Sequence, residues 1–369
     1  MNVMIAADYA APKSGNFVAS MIALGKKLKI NGDYVLFVFP TEKEWISWFR
    51  KEGLTVRIVN RACDREREQH QLEALIELVS EYQIDLIHSH FGMFHHELVY
   101  NRCTFKNVKI ILHDHMDFSL KPHIAIQYIR TAIYSFIYSL KDINVISVME
   151  EKNKAYIFLK NKCFLPNGLS LERHIEYSMT REECRNKLGL GRQDKCVFML
   201  GWDLKRKGLD IALKAVQKCR ENDSNICFGI IGVGTVPTNN VKKFIERETG
   251  IDSAEPWIHF FDSYEDMFAV HRAVDVYLSA SRKEAFSYGL LESISQNTPV
   301  VVSDISGTRW AEMYNNCFFY PVEDMDACAD AILKALSSGR KDTNSSEIVA
   351  RYGIDQWCDK VIEIYSTVK

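Results

Sequence analysis

The chain alternates short apolar runs with stretches of helical period, and it does so twice over. In the first half the runs are NVMIAAD (2–8), YVLFVFP (34–40), TVRIVN (55–60), DLIHSH (85–90), VKIILH (108–113), INVISV (143–148) and KCFLP (162–166). Between them lie segments such as GNFVASMIALGKKLKIN and EREQHQLEALIELVSEY. The second of these carries apolar residues at 72, 75, 76 and 79, which is a helix period. Strand–helix alternation of this kind predicts a parallel sheet with crossover helices. The pattern then restarts with KCVFMLG (195–201), ICFGIIGVG (226–234), WIHFFD (257–262), VDVYLSAS (274–281) and PVVVSD (299–304).

A chain of 369 residues is longer than one hydrophobic core usually serves. The restart therefore predicts an α/β protein of two Rossmann-like domains. The break falls near 169–192, which is polar. The expected division is 1–168 and 169–354, with a C-terminal amphipathic helix over 355–369 packing back on the first domain. Ligands of such sheets bind at the carboxyl ends of the strands. Two facing domains would hold one in the cleft between them, so the informative residues are those just after each strand.

Composition narrows the partners. Net charge is −2, with 47% hydrophobic and 25% charged residues, so a nucleic-acid footprint is not expected. The ten cysteines form no C-x-x-C pair and sit mostly in apolar surroundings, as expected of free thiols in a reducing cytosol. The opening MNVMIAADYA lacks the basic start and long apolar core of a signal peptide. No run reaches the length of a membrane span. The expected location is the cytoplasm.

Several loops carry residues suited to chemistry. Gly15, in AAPKSGNFVAS, stands at a helix start where backbone N–H groups suit an anion; an ordinary strand-to-helix loop has the same look. His88 and His90, and His113 and His115, form two H-x-H pairs, each on one strand face. With His95 and His96 nearby they raise a metal centre, although their spacing matches no metal signature and packing is the plainer reading. P-N-G at 166–168 reads as a turn at the domain junction. Lys205, Arg206 and Lys207 follow a strand and precede Gly208 and a helix, a good anion clamp that elsewhere would be a solvated surface. GIIGVGT (229–235) offers two glycines for close approach.

EAFSYGLLE (284–292) places glutamates at both ends of a stretch holding Ser287 and Gly289. The reading is a loop over 283–287 and then a helix from about Tyr288 through Gln296. Glu284 hangs from the loop and Glu292 from the early helix. A diphosphate on the amides of 286–289, with an acid on each side to take hydroxyls, describes a nucleotide-sugar. Two surface glutamates flanking an ordinary turn is the alternative.

Followed by TPVVVSDISG, this stretch resembles the E-x7-E segment of the family 4 glycosyltransferases of GT-B architecture. The resemblance runs through the Gly15 loop, DLIHSHF, IILHDH, ISVMEEKNK, FLPNG, GWDLKRKG, IIGVG and VDVYLSAS in order. It implies two Rossmann-like domains with parallel sheets facing across a cleft. It implies that Glu284 binds donor-sugar hydroxyls and Glu292 the ribose. Phe286, Ser287 and Tyr288 would offer amides to the phosphates, and Lys207 would pair with the diphosphate beside Arg206 or Lys205. His115 aligns with the histidine near the reacting sugar. Gly15 would let the first loop approach the donor, and Ser263 and Tyr264 face the base. The implied reaction is retaining transfer of a sugar from a UDP-sugar, or a GDP-sugar, to a saccharide or lipid-linked hydroxyl. No metal or other cofactor is implied. Cell-surface polysaccharide or glycoconjugate assembly follows, with KPHIAIQYIRTAIYSFIYSLKD (121–142) touching the inner membrane face or else packed as core helix. The chain departs from the family at Trp202, where an arginine is usual, at Ser14-Gly15-Asn16, and at Ala285 and Ser287. A nucleotide-sugar epimerase, or a metal-dependent hydrolase built on the H-x-H pairs, are the competing enzyme classes.

Overall fold

The computed structural model describes residues 1–60, 65–117, 124–170, 179–234, 236–262, 264, 266–341 and 345–368. The chain divides into two compact units, Met1–Ser170 with Tyr352–Lys369, and Leu171–Arg351.

The first unit is built on seven strands: β1 (Asn2–Ala7), β2 (Tyr34–Phe39), β3 (Thr55–Ile58), β4 (Leu86–His90), β5 (Lys109–Asp114), β6 (Ile143–Ser147) and β7 (Lys162–Phe164). They lie in the order β3-β2-β1-β4-β5-β6-β7, and every pairing is parallel. The central strands read as near-continuous Val, Ile, Leu and Phe because helices cover both faces. The C-terminal helix Ile354–Thr367 belongs here. Its Asp359 pairs with Lys27 of the first helix, Gly15–Ile30, at 2.6 Å. Leu169 bridges to Gly353. The glycine of P-N-G has a packing reason: a Cβ on Gly168 would come within 2.7 Å of the Trp357 ring.

The second unit holds β8 (Lys195–Leu200), β9 (Ile226–Ile231), β10 (Ile258–Phe261), β11 (Val276–Ser279), β12 (Val300–Asp304) and β13 (Cys317–Pro321). Their order is β10-β9-β8-β11-β12-β13, again parallel throughout. Its core gathers Val197, Phe228, Leu278 and Val301 from the strands with Leu213, Val216 and Ile332 from the helices. A capping box at Thr180 and Glu183 starts the helix Arg181–Lys187 within the polar stretch read as the break.

Both sheets share one winding. Counting from the first strand of each, the order is third, second, first, fourth, fifth, sixth, the doubly wound arrangement. The side on which successive strands are added reverses between β1 and β4, and between β8 and β11. At such a switch point the loops leaving the two strands diverge and open a crevice.

Candidate active site

In the second unit the switch point joins two loops. β8 runs into residues 201–208 and β11 into residues 280–287. Gly208 closes the first loop with φ +73°, and a Cβ there would overlap the Ala280 carbonyl oxygen. The Arg282 N–H donates to the Arg206 carbonyl at 2.7 Å. The Arg282 guanidinium holds both carboxylate oxygens of Asp210 at 2.9 Å and donates to the Lys205 carbonyl. A bidentate pair of this sort fixes geometry as well as adding energy.

The joined loops sort the basic triplet. Lys207 Nζ donates to Oε1 of Glu284, which also accepts from Ser281 Oγ at 2.9 Å. Arg206 Nη1 lies 3.6 Å from the same oxygen and donates to the Lys283 carbonyl at 3.2 Å, while its Nε holds Asp203 at 3.0 Å. Lys205 is turned elsewhere, onto Asp210 at 2.9 Å and Glu248 at 3.2 Å. Burial pushes the Glu284 carboxyl up, but the Lys207 charge and hydrogen bond, with Arg206 and Ser281 behind them, hold it below the ordinary value. Glu284 is thus an anion inside a basic loop.

The stretch from Glu284 to Glu292 folds as loop then helix. Phe286 is buried and stacks on Trp310 with centroids 4.7 Å apart. Ser287 caps the helix Tyr288–Ser295, its Oγ accepting from the Leu290 N–H at 3.4 Å. Tyr288 is the first helical residue, and the helix N-terminus opens beside Glu284. Glu292 is buried on the next turn, with Oε2 3.4 Å from His271 Nε2. Gly307 packs against the loop so closely that a Cβ would overlap the Glu284 carbonyl oxygen. Tyr264 is half-buried after β10, and Ser263 lies outside the described residues. Trp202 lies on Gly232, whose added Cβ would come within 2.7 Å of the indole. An aromatic plate therefore stands where the resembled family usually has an arginine.

In the first unit the H-x-H pairs come together. His90 and His113 are register partners on β4 and β5. His88 Nδ1 bonds the Tyr365 hydroxyl at 2.6 Å and its Nε2 bonds His113 Nδ1 at 3.1 Å. His90 Nδ1 bonds His115 Nε2 at 3.0 Å. His113 and His115 stack at 4.4 Å, and His115 stacks on Phe91 at 4.2 Å. Burial first, then neighbouring imidazoles, lowers His88 to about 3 and takes His90 and His113 well below their ordinary value. Burial lowers His115 to about 4, against the pull of Asp114. His88, His90 and His113 place ligand-type nitrogens within 4.8 Å of one another. The bonds to Tyr365 and His113 together already engage both nitrogens of His88 with protein groups. His95 is apart, on the Tyr138 hydroxyl at 2.7 Å. Gly15 starts the first helix at φ +59°, with Tyr9 Oη 3.0 Å from where its Cβ would stand.

Sequence reading singled out Lys207 and Glu284 but not what aligns them: Ser281, Arg282, Asp210 and Gly307. Three of these lie within the quoted motifs or one residue from them. Nothing in a linear pattern marks an arginine as the clasp between two loops.

Two doubly wound units of this kind, with a lysine–carboxylate cluster at one switch point, define the GT-B class of fold. Residues 180–353 match the model of the family described as glycosyl transferases group 1. The matched segment is a little under half of the chain. Among curated relatives, the lipopolysaccharide glucosyltransferase WaaG of Escherichia coli K12 is 27% identical over 148 residues, 39% of this chain and 37% of the relative. The phosphatidyl-myo-inositol mannosyltransferase of Mycobacterium leprae is 25% identical over 213 residues, 55% of this chain and 53% of the relative. The chain thus spans about a third to a half of the length of the curated relatives it matches. Among solved structures, Anabaena HepE in complex with UDP-glucose superposes with a TM-score of 0.77 at 14% identity, covering 100% of both chains. A glycosyltransferase from Rickettsia africae ESF-5 gives 0.75 at 16% identity, over 100% of this chain and 98% of that one. These two likenesses concern the fold.

Proposed function

We propose that this chain is a retaining glycosyltransferase of the family 4 type. It moves a sugar from a nucleotide diphosphate sugar, UDP in preference to GDP, to a hydroxyl of a saccharide or lipid-linked acceptor. The setting is cell-surface polysaccharide or glycoconjugate assembly, by a peripheral protein at the cytoplasmic face of a membrane. The observation that carries the reading is the Lys207–Glu284 cluster at the switch point of the segment that matches the glycosyl transferases group 1 family. The uridine preference draws on the UDP-glucose held by Anabaena HepE.

In this reading the acceptor oxygen bonds to the anomeric carbon as the bond from that carbon to the phosphate oxygen breaks. The departing phosphate oxygen takes the acceptor proton, which leaves a nucleoside diphosphate. Charge builds on that diphosphate, and groups already aimed at it lower the barrier. Lys207, Arg206 and the amides of Phe286, Ser287 and Tyr288 at a helix N-terminus supply them. Lys205 stands behind them, paired with Asp210 and Glu248. Glu284 holds the sugar hydroxyls and Glu292 the ribose, with Tyr264 toward the base. The scheme calls on cationic side chains and amides for charge neutralisation, so it needs no metal ion.

The test is thermal unfolding with UDP, GDP, ADP and their sugar conjugates, because a donor that binds the folded state raises Tm. A rise with a uridine diphosphate compound is expected. No shift with any nucleoside diphosphate would overturn the reading.

A further inference from the structure

The helix Ile124–Leu140 is buried on one side and exposes apolar residues on the opposite side. Its inner side buries Thr131, Ser135 and Tyr138, the last within the core of the first unit. Its outer side carries Ile126, Ile129, Ile133, Phe136 and Leu140, each between 51% and 72% exposed. At 100° per residue these five fall within an arc of about 80°, so they form one stripe. The stripe widens at Phe136, whose ring meets Phe158 at 5.7 Å, and Ile157 beside it is also exposed. Isolated exposed apolar residues are ordinary, but a continuous patch marks a surface that something covers.

Charge indicates what covers it. From 118 to 141 the sequence has no Asp or Glu, while Lys121, Arg130 and Lys141 are basic. Arg130 is exposed on the helix, and Lys160 is exposed just beyond Phe158. One exposed acid, Asp142, follows in the turn that ends the helix, and of the acids beyond it Glu150 is paired with Lys154 at 2.8 Å. A second copy docked through this same face would set basic residues against basic residues. An anionic lipid surface meets both features, taking the apolar stripe into its acyl boundary and the basic groups at its headgroups. Among the described residues no helix is long and apolar enough to cross a membrane, so the helix would lie in the interface.

We propose that the outer face of Ile124–Leu140, with Ile157 and Phe158, docks the first unit on an anionic bilayer. The inference deepens the peripheral-membrane part of the proposed function and rests on it only for its purpose, since lipid binding needs no sugar transfer. The experiment is co-sedimentation of the full chain with phosphatidylglycerol–phosphatidylcholine vesicles. Wild-type protein should bind, and Ile129→Glu and Phe136→Glu should each bind about tenfold more weakly with unchanged Tm and far-UV circular dichroism. Arg130→Gln should bind more weakly and with less salt dependence. Wild-type protein left in the supernatant, or Glu variants that sediment like wild type, would overturn the proposal. A wild-type dimer dispersed by Phe136→Glu would also overturn it and assign the face to a second copy. Nucleotide-sugar binding is measured separately by thermal shift. Its failure removes the transferase reading while leaving this one intact, and the reverse holds equally.

Discussion

Lys207 donates its ammonium proton to Glu284 across 77 positions of sequence. Both side chains are largely buried, 14% and 10% exposed. The pair joins the loop after β8 to the loop after β11 at the point where the sheet reverses its winding. It leaves the second unit with a cation held still by a buried anion where the two loops meet.

Removing one partner of such a pair leaves the other charge buried and poorly compensated. Lys207→Ala should therefore cost about 3–5 kcal/mol, less whatever Arg206 recovers from 3.6 Å. The double variant Lys207→Met with Glu284→Leu should regain most of that, while nucleotide-sugar binding stays lost in both. Urea unfolding together with the thermal-shift assay separates the two effects. Equal destabilisation by single and double variants would show that the two residues are not coupled.

The same pair sets an acid limb. The Glu284 pKa in the folded chain lies below its ordinary 4.5, so the unfolded chain takes up the proton first as pH falls. The stabilisation is present in full above about 4.5 and is lost as pH falls through the folded value. Between pH 6 and 3, wild type should lose stability more steeply than Glu284→Gln. Parallel curves for the two proteins would remove the assignment.

The histidine cluster acts in a higher window. His88, His90, His113 and His115 are all lowered from 6.5, chiefly by burial, so they stay neutral when folded and gain protons when unfolded. Stability should be constant above 6.5 and fall below it, by about 1.4 kcal/mol per pH unit for each histidine that stays neutral. Denaturation midpoints at pH 7.5 and 5.5 measure the slope. Imidazole proton NMR shifts that do not move over this range would accompany it, and titration near 6.5 would refute the burial argument.

Gly307 offers a test of loop position apart from charge. Its missing side chain is what lets the Glu284 carbonyl approach. Gly307→Ala has to push that loop aside, so donor affinity should fall at least tenfold, about 1.4 kcal/mol. The Lys207–Glu284 chemistry is left unchanged. Isothermal titration with the donor identified by thermal shift gives the number, and wild-type affinity would mean that the loop is not held by this contact.

The amino-acid sequence by itself determined the elements and their class. Strand runs such as 2–8 and 195–201 and the helix beginning at Tyr288 are local matters of period, turn chemistry and capping, and Ser287 as N-cap marks where loop becomes helix between the two glutamates. The chemistry of the site was legible at the level of residue type, as a basic triplet and two acids placed after strands. Which lysine meets which acid was not. Lys205 and Lys207 are equivalent in a linear pattern. Only the left-handed turn at Gly208 and the Arg282–Asp210 clasp turn one toward Glu248 and the other toward Glu284. The burial of His88 and His113 beneath the C-terminal helix was hidden for the same reason, because Tyr365 and Trp357 lie more than two hundred positions away in sequence. Periodicity reports what a residue does with its neighbours along the chain. Partner choice across a sheet depends on strand order, which is settled by packing of the whole unit.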